Sequence, residues 1–325
     1  MVTNRETAVD QFIDRLEQAV VRRGTPVVVG IDPHLPMLPE SILPASALQA
    51  GPESQGWNYE RLALALQSFC RGVLDVAAGL VPVVKFQLAF FEQIGPAGLS
   101  VLADLVQHAH RGGLLVILDG KRGDIGSTAL AYAQGMLGAG ETSAWGGDAL
   151  TVNPYLGDDA LDPFVQTAHE RRAGVFVLVK TSNPGGRVFQ DLVAEGKPIY
   201  RHVAALVEDL ACKHLGKCGY GDIGGVVGAT YREQLAELRE AMPHTWFLVP
   251  GYGSQGAGAA DVAPAFDARG RGAVINNSRA VIFAYRRREY ERFGPARWQE
   301  AIEAATRDMM AEIRADTPAG RIRST

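Results

Sequence analysis

The sequence predicts an α/β fold, a (β/α)8 TIM barrel with insertions after strands 1 and 5. Three observations carry this. Eight short apolar runs are spread along 325 residues, and helical patterns separate most of them; such alternation implies parallel strands with helical crossovers. The chain is longer than the roughly 250 residues typical of this barrel, which leaves room for insertions. No Gly-x-Gly-x-x-Gly follows the first strand, which disfavours the main competing architecture, a doubly wound open sheet.

Val9, Phe12, Ile13, Leu16 and Val20 recur at helical spacing, and Gly24 is a stop signal. The run Val27–Asp32 then reads as a buried first strand. Residues 33–57 hold Pro33, Pro36, Pro39, Pro44 and Pro52 and form the first insertion, long enough to be functional. A helical stretch from Tyr59 to about Ala78 precedes the strand Val81–Phe86, and a second helical stretch precedes Leu114–Asp119. The remaining strands are Ala149–Asn153, Val175–Lys180, Gly225–Gly228, Phe247–Pro250 and Ala273–Asn276. The second insertion spans Asn183 to about Tyr220. An amphipathic helix around Trp298 closes the fold before a loose tail. With no linker and no further repeat, residues 1–325 read as one barrel domain.

Lys+Arg 32 against Asp+Glu 36 gives 32 − 36 = −4. That charge offers no general attraction to a nucleic acid polymer or an acidic membrane. No apolar run is long enough for a membrane span, and the acidic start MVTNRETAVDQFIDRL lacks the core of a secretion signal. Cys70, Cys212 and Cys218 are too scattered for a disulfide framework and lack paired zinc-ligand spacing. The expectation is a cytoplasmic protein with no metal site.

Active sites of such barrels sit at the C-terminal strand ends. Reading off those ends gives Asp32, Lys85, Asp119, Lys121, Asn153, Ser182, Pro250 and Asn277, a set rich in charge for residues that finish apolar runs. Lys85, inside VPVVKFQLAFF, must pair with a carboxylate or lose its charge; its plain alternative is to snorkel outward. The strongest signal is LDGKRGDIGST, in which Asp119, Lys121 and Asp124 form Asp-x-Lys-x-x-Asp. Asp119 and Lys121 share one strand face because side chains repeat every two residues. Alone, the segment is a soluble charged loop; behind a buried strand, with Lys85 nearby, it reads as a site. Gly251, Gly253 and Gly256 would let backbone N–H groups approach an anion. Arg279, just past the last strand, would add a bidentate partner where barrels often hold phosphate. The plain alternative is a flexible turn beside a surface arginine.

From GIDPH to INNSRAVI the chain resembles the orotidine 5′-phosphate decarboxylase family. It is similar to the longer bacterial (type 2) form, in which DxKRGDI and TSNPGG segments occur. The smaller form more often has bulky residues where Arg122 and Gly123 stand. The resemblance implies a catalytic array of Lys85, Asp119, Lys121 and Asp124. It implies a homodimer in which Asp124, with Ile125 and Thr128, crosses into the neighbouring site. It makes Asp32 a ribose ligand, Ser182 a partner of the pyrimidine amide edge, and Pro250, Gln255 and Arg279 the phosphate grip; Asn277, from its place at the end of the last strand, is also read as substrate-binding.

The implied reaction is decarboxylation of orotidine 5′-monophosphate to UMP without a cofactor. Loss of CO2 leaves an electron pair in the plane of the ring, which the π system delocalises poorly. A fixed ammonium beside that carbon is the remedy, and Lys121 would then protonate it. Two other readings compete. A sugar-phosphate decarboxylase, such as one acting on keto-gulonate phosphate, shares the Asp-x-Lys-x-x-Asp array but uses Mg2+; the cation of Lys85, where a carboxylate typically helps hold that metal, disfavours it. A non-catalytic nucleotide-binding barrel is the other, since fold alone does not establish function.

Overall fold

The computed structural model describes residues 10–44, 58–138, 142–253 and 256–322. Eight parallel strands close into a barrel: β1 (Val27–Ile31), β2 (Val83–Gln87), β3 (Leu115–Arg122), β4 (Ala149–Val152), β5 (Gly174–Lys180), β8 (Ile223–Val227), β9 (Phe247–Val249) and β10 (Ala273–Asn277). β10 pairs with β1 to shut the ring. All the strands expected from the sequence are present. The largest shift is in β3, which continues through Gly120 and Lys121 to Arg122.

The strands form because Val- and Ile-rich runs can be covered on both faces. Every residue of β1, β4, β8, β9 and β10 is buried. The outer ring consists of helices α2 (Tyr59–Ala78), α3 (Gly95–Arg111), α4 (Gly126–Met136), α5 (Asp162–Arg171), α6 (Ile199–Lys213), α7 (Arg232–Ala241) and α8 (Trp298–Asp316). Asn58 caps α2 by accepting the Arg61 N–H.

An additional helix, α1 (Phe12–Arg23), closes the mouth at the N-terminal ends of the strands. It ends at Gly24, whose left-handed φ of 65° turns the chain into β1. The Phe12 ring meets Phe176 edge-on at 6.1 Å. Gly174 makes room for it, since a Cβ there would lie 2.1 Å from the ring. The Ile13 N–H donates to Asp222 Oδ1 at 2.8 Å. Burial pushes the Asp222 carboxyl up to about 6; the Ile13 N–H works against this, and the charge of Asp14 adds to it.

The first insertion is described only as far as Pro44, where it carries a short 3-10 turn, Leu35–Met37; residues 45–57 lie outside the described residues. The second contains a turn of helix (Arg187–Gln190) and a small antiparallel hairpin, β6 (Val193–Ala194) with β7 (Lys197–Pro198). Its second half is α6, the regular crossover helix after β5, so the extra structure there is shorter than the sequence suggests. Among the described residues no helix is long and apolar enough to cross a membrane.

Candidate active site

A cavity of about 310 Å³ opens at the C-terminal ends of the strands. β2 and β3 supply its charges. Strand alternation aims Lys85 inward beside Gln87, and Asp119 beside Lys121. Lys85 Nζ lies 2.6 Å from Asp119 Oδ2 and 3.8 Å from Asp32. Lys121 Nζ lies 2.5 Å from Asp119 Oδ1. The carboxylate thus sits between two ammonium groups.

Further donors complete it. The Thr151 hydroxyl donates to Asp119 Oδ1 at 2.8 Å, and Gln87 Nε2 to Oδ2 at 3.1 Å. The Lys121 N–H donates to the Thr151 oxygen at 2.9 Å. Lys121 itself adopts φ 46°, rare for a side-chain-bearing residue. The cause is a bulge. Leu118 pairs with Leu150, but Val152 pairs with Arg122, so β3 carries two more residues than β4 across this stretch.

Burial works against the charge of Lys85, but Asp119 and then Asp32 outweigh it and hold the amine above the usual lysine range. Burial likewise favours a neutral Asp119, yet Lys85 and Lys121 hold its carboxyl well below the usual range. Lys85 and Asp119 are therefore both charged at neutral pH. Lys85 and Asp119 are both buried, whereas Lys121 is open to the cavity.

The remaining walls come from β1, β5, β9 and β10. Asp32, Ser182, Pro250 and Arg279 all line the cavity as the sequence predicts. Gly228 lets Ser182 approach, since a Cβ there would stand 2.8 Å from the serine Cβ. Arg279 is exposed, and its guanidinium has no hydrogen-bond or ion-pair partner among the described residues. Leu178, Val226 and Leu248 form an apolar floor.

Other predicted residues fall elsewhere. Asn277 does not line this cavity; it faces the opposite side of β10, toward Tyr252 and α8. Strand parity explains this: Asn276 and Ser278 point inward, and Gly30 leaves the space that Ser278 fills. The N–H groups of Gly253 and Gly256 bond to Ala257 O and Gly253 O, so they are spent within the loop, and of the three glycines only Gly251 lines the cavity. Gln255 lies outside the described residues. Asp124, Ile125 and Thr128 do not line the cavity; Asp124 Oδ1 accepts the Ile125 N–H, and Ile125 is 59% exposed.

Of the residues left without a role, Asn153 makes a turn by accepting the Tyr155 N–H, and Tyr155 is exposed. Lys180 is buried outside the barrel, paired with Asp191 between the rings of Tyr200 and Tyr231. Sequence reasoning missed Gln87, Thr151, Asn276 and Ser278. A threonine inside a run of apolar strand residues was the available signal for Thr151.

Residues 26–293 match the model of the Orotidine 5'-phosphate decarboxylase / HUMPS family. A relative from Rhodopirellula baltica named orotidine 5'-phosphate decarboxylase is 50% identical over 306 residues, covering 93% of this chain and 99% of that one. One of the same name from Deinococcus radiodurans is 42% identical over 274 residues, covering 84% and 89%. The structure of Leishmania donovani OMP decarboxylase superposes with a TM-score of 0.71 at 29% identity, covering 94% of this chain and 98% of that one.

Proposed function

The chain belongs to the orotidine 5′-phosphate decarboxylase / HUMPS family, and from that premise we propose that its cavity converts orotidine 5′-monophosphate to UMP in pyrimidine biosynthesis, with Lys121 as both the stabilising cation and the proton donor. The observation that carries this reading is the Asp119 carboxylate clamped between Lys85 and Lys121 at 2.6 and 2.5 Å. In the reaction the bond from ring C6 to the carboxyl carbon breaks, CO2 leaves, and the electron pair stays on C6. The Lys121 ammonium faces that pair, then gives C6 a proton and recovers one from water. Groups fixed in advance where charge develops are worth about 3–4 kcal/mol each.

Asp119 holds the Lys121 amine in place and lies toward the departing carboxylate. Lys85 and Asp32 bind ribose hydroxyls. Ser182 reads the amide edge of the pyrimidine. Pro250, Gly251 and Arg279, with Gln255, grip the phosphate, whose binding energy assembles the site.

The full array needs a second copy of the chain. Asp124 stays outside the cavity of its own barrel, so in this reading it enters a partner's cavity across a homodimer interface, together with Ile125 and Thr128. The exposed side chains of Ile125, Leu130 and Tyr132 support this, since a free monomer gains nothing from leaving them in water. We place the enzyme in the cytoplasm, working as a single barrel unit per protomer without a cofactor.

The Mg2+-dependent sugar-phosphate reading is disfavoured by Lys85, whose buried, charged amine would repel a cation at the end of β2. Formation of UMP from orotidine 5′-monophosphate, followed by absorbance with and without a chelator, tests the proposal. We expect turnover in both conditions and a loss of at least about 10³-fold in Lys121→Ala with nucleotide binding retained. A wild type that binds but never turns over would establish a binding module instead.

A further inference from the structure

The end of the barrel remote from the cavity brings two side chains of one helix together with a third that is distant in sequence. Glu208 and Cys212 lie one turn apart on α6, and His244 stands in the turn that leads into β9. Their potential ligand atoms converge: Cys212 Sγ is 3.4 Å from His244 Nδ1 and 3.5 Å from Glu208 Oε1, and Nδ1 is 2.7 Å from Oε1. We propose that Glu208, Cys212 and His244 form a three-ligand site for a divalent cation of the zinc class, with a fourth position open to water.

The geometry fits such an ion. Zinc bonds of about 2.0 Å to nitrogen or oxygen and 2.3 Å to sulfur set tetrahedral edges of about 3.3–3.5 Å. Both edges to sulfur already have that length, and only the hydrogen-bonded Nδ1–Oε1 edge must open by about half an ångström. The donor set is one thiolate, one imidazole and one carboxylate, a combination that suits zinc and cobalt and not magnesium. Thiolate and carboxylate together balance the charge of the ion. As the metal–ligand bonds form, the thiol proton passes to solvent and the imidazole proton moves from Nδ1 to Nε2, which frees the Nδ1 lone pair for the ion.

The supporting shell is in place. Thr245, wholly buried, donates its hydroxyl to Glu208 Oε2 at 2.7 Å, and the His244 N–H donates to Oε1 at 3.1 Å. Such outer contacts fix a ligating carboxylate before the metal arrives. Cys212 is exposed and the His244 side chain is 44% exposed, so an ion can enter from solvent. A bound ion would tie α6 to the turn between α7 and β9.

The test uses the full, freshly reduced chain with Zn2+ or Co2+ as the only added metal. We expect one equivalent of zinc per chain to survive desalting, and a thiolate-to-cobalt charge-transfer band in the near ultraviolet. Both disappear in Cys212→Ser, and zinc retention is also lost in His244→Gln. Zinc raises the Tm of the wild type but not of Cys212→Ser, while UMP formation by that variant matches the wild type and reports its fold. No retained zinc in the wild type, or equal retention in both variants, overturns the site.

Discussion

The Thr151 hydroxyl reaches across from β4 to donate to Oδ1 of Asp119 at 2.8 Å. Its oxygen also accepts the Lys121 N–H, so one buried hydroxyl fixes both the central carboxylate and the unusual backbone that carries the Lys121 amine. Thr151→Val keeps the branched shape but removes both bonds. We predict a loss of about 1–3 kcal/mol in stability and a fall in kcat on the order of tenfold to a hundredfold, with KM much less affected. Denaturant unfolding and steady-state kinetics check it; an unchanged kcat would remove Thr151 from the catalytic geometry.

The assignment of Asp124 to a partner's site makes a quantitative prediction. Lys121→Ala and Asp124→Ala are each expected to be inactive. Subunits of the two, mixed and re-associated, yield heterodimers in which one of two sites has both residues. Random 1:1 pairing then restores about one quarter of wild-type activity. Mixtures that stay inactive despite exchange of subunits would mean that Asp124 serves its own barrel.

The Arg279 guanidinium stands at the rim of the cavity without a hydrogen-bond or ion-pair partner among the described residues, and in the proposed reading it takes the phosphate. Arg279→Ala is expected to lower kcat/KM for the nucleotide by at least about tenfold, as for a lost charge-assisted contact. It should leave the already slow reaction of the phosphate-free nucleoside unchanged. Equal kcat/KM of wild type for nucleoside and nucleotide would reject the phosphate grip.

Asp222 sets a pH dependence of stability. Its carboxyl is pushed up to about 6 in the folded chain, mainly by burial, against an ordinary 3.8. A raised folded pKa means that the contribution is complete below about 3.8 and is lost as pH rises through about 6. Wild type should therefore lose on the order of 1–3 kcal/mol from this group between acid and neutral pH. Asp222→Asn keeps the acceptor for the Ile13 N–H and removes the titration. Unfolding at pH 5 and pH 8 should show a smaller difference in the variant; identical differences would refute the assignment.

Much of this was legible in the sequence because strands buried on both faces leave uninterrupted apolar runs, and charges that end such runs stand out. Lys85, Asp119 and Lys121 were found that way. Thr151 was harder, since a threonine is an ordinary strand former and its role depends on a neighbour 32 residues away. The choice between Asn276 and Asn277 rests on strand parity, which adjacent asparagines cannot reveal. The fate of the Gly253 and Gly256 N–H groups was hidden because glycine content shows freedom of the backbone, not where its donors point. Cys212 and His244 meet only once α6 and β9 are packed.

The bulge in β3 sets a different kind of constraint from any side chain. If β3 kept a regular register past Leu118, Lys121 would lie two places further along relative to β4, and the Thr151 hydroxyl would no longer meet its N–H. Point substitutions leave that spacing untouched, whereas a one-residue deletion between Leu118 and Arg122 would turn the lysine to the wrong side. Length in this segment should therefore be far less negotiable than composition, and a library of insertions and deletions would find its narrowest tolerance here.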